Sequence, residues 1–159
     1  MDLNDWILAL HLLSAFSLVS AITIFSSLIV VLWRSDDPAK IDAFMRFGSI
    51  GNALVIAGIL GTVVFGVWLA ISVDGYAVWD GWVIAAIVLW AAASELGRRA
   101  GLAYAAAGER AQALASSSPG ERSPELAAAF GVSPALRLHV GSTIAVVLIL
   151  LDMIWKPGA

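Results

Sequence analysis

Three features of the sequence predict an all-α fold: an up-down bundle of four transmembrane helices with both termini on the outer side. The chain of 159 residues is 60% hydrophobic and only 13% charged. A soluble domain carries about a quarter of its residues as Asp, Glu, Lys and Arg. The charges are also clustered and leave four long apolar stretches, each near the roughly 20 residues a helix needs to cross about 30 Å of hydrocarbon. No stretch alternates apolar and polar side chains as a half-buried strand would.

The spans are expected at about 6–33, 49–72, 79–97 and 136–155, within a single integral membrane domain covering 1–159. The N-terminal MDLND is acidic and lacks the positive lead of a signal peptide, so 6–33 reads as a retained span. The third apolar core is the shortest, and its helix should continue past the membrane through the alanine-rich GRRAGLAYAAAGERAQAL.

Orientation follows from Lys and Arg. The connection 34–48 carries Arg34, Lys40 and Arg46, and the connection 98–135 carries Arg98, Arg99, Arg110 and Arg122, with Arg137 just beyond it. The 74–80 connection and the N-terminal lead carry none. Basic residues gather on the cytoplasmic side, so 34–48 and 98–135 are expected inside. Trp6, Trp68, Trp79, Trp82 and Trp155 then fall at the outer interface, where the amphipathic indole is favoured. The implied location is a bacterial cytoplasmic (inner) membrane, multi-pass, with the lipid bilayer as the first partner.

Local punctuation sets the helix starts. Asp37-Pro38, Ser123-Pro124 and Ser133-Pro134 each place a capping oxygen before a proline whose missing N–H costs nothing in the first turn. The second helix therefore begins near Pro38, and PELAAAF forms a short helix that Gly131 ends. ASSSPGERSP reads as a flexible hinge.

Composition excludes several kinds of chemistry. A net charge of −3 argues against nucleic acid as a partner, because phosphate binding needs a basic face. The absence of cysteine removes disulfides, covalent haem attachment through C-x-x-C-H, thiolate metal sites and thiol catalysis. No catalytic triad, phosphate-binding glycine loop or H-E-x-x-H spacing is present.

The remaining candidates are few. In the second span Gly48, Gly51, Gly58, Thr62 and Gly66 share one face, the pattern by which helices approach closely in lipid; the alternative is a face lining a pathway. Ser14, Ser17, Ser20, Thr23, Ser26 and Ser27 of the first span spiral round their helix, so each hydroxyl is expected to bond the carbonyl one turn back. Glu95 and Arg99 have ion-pair spacing. Asp152 is an intramembrane carboxylate with Lys156 one turn on, and a carboxylate in a span is a functional hypothesis by default. Asn52 is expected to bond a neighbouring helix. His11 and His139 could ligate a metal or haem iron, but their depths differ by roughly 15–20 Å at 1.5 Å per residue. They cannot clamp one haem within a monomer. The axial pairs that depth allows are His11 with Met153 and His139 with Met45, and the cofactor they would suit is haem b. The bland alternative is a hydrogen bond to a neighbouring helix, or from His11 to Asp152.

LALHLLSAFSLVSAITIF, SDDPAKIDAFMRFGSIGNALVIAGILGTVVFGVWLAI and GYAVWDGWVIAAIVLW with its following RR together resemble a bacterial family of small four-helix integral membrane proteins, a domain of unknown function. The likeness covers roughly the first hundred residues. More distantly the chain resembles CopD-like copper-resistance and HemJ-type membrane proteins. The resemblance implies a first-helix histidine, His11, associated with haem, copper or redox work. Three functions follow as expectations: a haem- or metal-associated redox membrane protein, a small oligomeric transporter or channel using the glycine face and Asp152, and a non-catalytic membrane scaffold or accessory subunit. The latter two bring a homo-oligomer or a membrane-complex partner.

Overall fold

The computed structural model describes residues 2–73 and 77–157, and of residue 49 the backbone alone. Residues 74–76 of the expected outer connection lie outside the described residues. Five helices follow one another: α1 (Leu3–Trp33), α2 (Pro38–Ser72), α3 (Gly81–Ser117), α4 (Pro124–Phe130) and α5 (Pro134–Trp155), with no strand among the described residues. Four helical stretches are long and apolar enough to cross a membrane: α1, α2, α3, and α4 together with α5.

The helix starts are chemical. Asp2 and Asp5 form a reciprocal capping box, with both N–H···O distances 2.9 Å. Asp37 Oδ1 accepts from the backbone N–H groups of Ala39 and Lys40 at 3.0 and 3.4 Å, with Pro38 in the first turn. Ser133 Oγ accepts from Leu136 N–H at 3.3 Å. Each cap satisfies donors that a helix start leaves open. One expectation needs correction. Ser123 makes no side-chain cap, because the residue is held by its backbone N–H donating to the Asp36 carbonyl at 2.8 Å. Gly131 ends α4 as expected, as its C-cap at φ −80°, and its missing side chain also serves packing. A Cβ there would lie 2.5 Å from Trp33 Nε1.

α3 is one unbroken helix of 37 residues, about 55 Å at 1.5 Å per residue. That is well over the roughly 30 Å of a hydrocarbon core. The far half of α3 meets the start of α2 and α4 at one end.

α1 and α2 pack as an antiparallel hairpin whose register is written in glycine. Gly51 meets Phe25, Gly58 meets Leu18, Gly61 meets Ser14 and Gly66 meets His11. Asn4 and Ser72 close the open end, with Ser72 Oγ donating to Asn4 Oδ1 at 3.0 Å and Asn4 Nδ2 to the Ser72 carbonyl at 3.3 Å. The two numbers in each pair add to nearly the same value, so the helices run side by side without slipping. At Gly58 the backbone nitrogen of Leu18 would be 2.9 Å from an added Cβ. The glycine face is therefore filled by α1 and serves close packing.

α3 and α5 form the second tight pair. Ser142 Oγ donates to the Ala93 carbonyl at 2.8 Å, and Gly97 and Gly141 admit Ser142 and Leu96. α2 and α3 link the two hairpins, whereas α1 and α5 hardly approach one another.

The largest fully buried side chains are Phe130, Leu32, Ile41 and Leu126. With Ala111 they make one core, flanked by Met45, Tyr104, Ala107 and Leu114. The Tyr104 and Phe130 rings stack at 5.5 Å and 4°. Burial pushes the Tyr104 phenol above its ordinary pKa. This core lies at the α4 end, built by the start of α2, the far half of α3, α4 and the last turn of α1. The stretch expected to be a flexible hinge is tied to it: Arg122 pairs with Asp36 at 2.6 Å, and Gly120 turns the chain at φ +84°.

Candidate functional site

His11 sits where α1 presses on α2. A Cβ on Gly66 would be 2.9 Å from its Cε1 and 3.2 Å from its Nδ1, and the Thr62 backbone is its polar neighbour. Nδ1 is buried without a hydrogen-bond partner. The absent side chain at Gly66 thus makes room for the imidazole. Thr62 turns inward on its own helix, its Oγ1 donating to the Gly58 carbonyl at 2.7 Å.

His139 is engaged differently. Its Nε2 lies 2.9 Å from Ser26 Oγ, a bond from α5 to α1. The other hydroxyls of α1 that bond do so within the helix: Ser14 to Leu10, Ser17 to Leu13, Thr23 to Val19 and Ser27 to Thr23. The Ser26–His139 pair was not legible in the sequence. Ser26 looks like any member of the serine spiral, and only the three-dimensional approach of α5 singles it out. From Ser26 to His11 is about 22 Å along α1 at 1.5 Å per residue, so the two histidines occupy separate levels.

The methionines offered as axial partners stand apart in character. Met45 lies against Gly108, its Cε 3.0 Å from where a Cβ would be, and packs on the α4-end core. Met153 is half-buried on α5, a helix that α1 hardly approaches. A haem between either pair needs a histidine nitrogen and a thioether facing across an open slot. Instead the His11 ring abuts the α2 backbone, His139 Nε2 is taken by Ser26, and Met45 packs on the core. These residues do not fit a clamped macrocycle. No group of three or more His, Cys, Asp or Glu side chains converges as a metal site among the described residues.

Asp152 has its Oδ2 buried without a hydrogen-bond partner. Lys156, which its spacing made the natural partner, places its ammonium 5.5 Å from the centroid of the Trp82 ring, a cation–π geometry, while its backbone N–H donates to the Asp152 carbonyl at 2.8 Å. Trp82 is only 6% exposed, whereas Trp6, Trp68, Trp79 and Trp155 lie open. Asn52 is exposed on the outside of α2 and does not join a neighbouring helix. Glu95 accepts from both Arg98 and Arg99, at 2.8 and 2.6 Å, one partner more than the spacing alone suggested.

No family model, curated protein or solved structure matches the chain.

Proposed function

We propose that the protein is a multi-pass integral membrane protein of a cytoplasmic membrane, with its termini outside and the α4 end inside, and that it acts as a non-catalytic scaffold or accessory subunit. Leu13, Phe16, Leu60, Ile71, Val88 and Ile144 are among the large apolar side chains exposed along the helices. Such a surface is costly in water and ordinary in lipid. The arginines of both basic connections gather at the α4 end, the arrangement expected of a cytoplasmic face.

The observation that carries the scaffold reading is the position of the best-packed core. It lies at the α4 end, beside a hollow lined by Arg110, Glu121, Arg122 and Glu125 together with Pro38 and Leu114. Arg110 and Glu125 stand 3.7 Å apart and are largely exposed, so their charges remain available to a partner. A transport pathway along the glycine face is opposed by the packing of Leu18, Ser14 and His11 against it.

Purification from native membranes in mild detergent tests this reading. A colourless protein that co-purifies with another polypeptide at fixed stoichiometry is expected, and the complex should be lost in the double variant Arg110→Glu/Glu125→Lys. A protein that runs alone and carries a Soret band, removed in His11→Ala, would overturn it in favour of the redox reading.

A further inference from the structure

We propose that the Ser26–His139 hydrogen bond is a latch across a lateral seam between α1 and α5, and that releasing it lets the two helical hairpins part along that seam. Each hairpin is fastened within itself. Glycine contacts and the Asn4–Ser72 bonds hold α1 to α2, while the Ser142–Ala93 bond and the small residues Gly97 and Gly141 hold α3 to α5. The hairpins meet through α2 and α3 on one side. On the other side α1 and α5 scarcely touch, and Ser26 to His139 is the one side-chain hydrogen bond joining these two helices among the described residues.

The seam is not free at both ends. Leu32, near the end of α1, is built into the core with α4 and α3, so the α4 end acts as the pivot. From Ser26 to the start of α1 is about 35 Å at 1.5 Å per residue, and along that length no side-chain hydrogen bond crosses from α1 to α5 among the described residues. In lipid there is no hydrophobic force to keep apolar faces together, so packing and interhelical hydrogen bonds decide whether two helices stay joined. A weakly packed seam with one polar tie is the place where such a bundle opens. Its release would expose the interior to lipid on one side only and leave both hairpins intact.

The absence of cysteine allows spin labels to be placed one pair at a time in the full-length protein in lipid. Leu8, Ile71 and Ile154 are 47%, 71% and 72% exposed, so labels there leave the packing undisturbed. Pulsed electron double resonance across the seam, from position 8 to position 154, is expected to give a longer and broader distance distribution in Ser26→Ala and in His139→Ala than in the parent. The distribution within the hairpin, from 8 to 71, should stay unchanged, and Ser26→Thr, which keeps the hydroxyl, should retain the parent distribution across the seam. The proposal is overturned if neither removal of the bond changes the 8-to-154 distribution. It is equally overturned if both pairs broaden together, because the bond would then hold the whole fold and not a seam.

Discussion

At the scale of single residues, the α1–α2 interface separates glycines that matter from glycines that do not. Gly58 faces the Leu18 backbone nitrogen at 2.9 Å from a would-be Cβ, whereas nothing lies within 4 Å of one at Gly101. Gly58→Ala must push two helices apart, at a cost of about 1–3 kcal/mol typical of overpacking. Gly101→Ala fills open space and removes the glycine penalty in a helix, a gain of about 0.5–1 kcal/mol. Unfolding in mixed detergent micelles, followed by helical circular dichroism, is expected to give opposite signs for the two. Equal effects would remove the packing role of the face. That role was readable beforehand because Gly51, Gly58, Thr62 and Gly66 share one side of the helix. Gly61 was missed because it falls off that side by angle, yet it receives Ser14. His11 was equally visible as an oddity, but its contact with Gly66 depends on a register between two helices that no single-helix pattern contains.

Among the elements, α4 contributes far beyond its seven residues. Leu126 and Phe130 are 2% and 1% exposed, and they draw α1, α2 and α3 into one core. Phe130→Ala empties a filled site and should cost about 3–5 kcal/mol. Its first visible effect is expected in limited proteolysis of 118–123, which the Arg122–Asp36 pair and the Ser123–Asp36 backbone bond now hold down. Unchanged cleavage would mean that α4 does not anchor the loop. Helix existence and most boundaries were legible here, since proline after a capping residue and glycine after an apolar run act locally. The docking of α4 was not. A serine- and proline-rich loop has the composition of a hinge whether or not it is fastened, and what fastens it is Asp36, far away in sequence.

For the whole molecule, the decisive feature is asymmetry along the long axis. One end carries the open Trp6, Trp68, Trp79 and Trp155; the other carries the arginines and the buried core. The apolar composition and the distribution of Arg and Lys made the four spans and this polarity visible before any coordinates. The grouping of helices into two hairpins, joined through α2 and α3 and barely in contact at α1 and α5, lay beyond the sequence because which helices pair depends on contacts between spans that no single span's pattern contains. Insertion with the α4 end inside is the claim on which the functional reading stands. Trp79 is 79% exposed near the start of α3, and Gln112 is exposed near its far end. Single cysteines at these two positions, treated in intact spheroplasts with a membrane-impermeant maleimide, give the most direct test. Labelling at position 79 from outside, with labelling at position 112 only after the membrane is permeabilised, is expected; the reverse pattern, or labelling of both from outside, would contradict it.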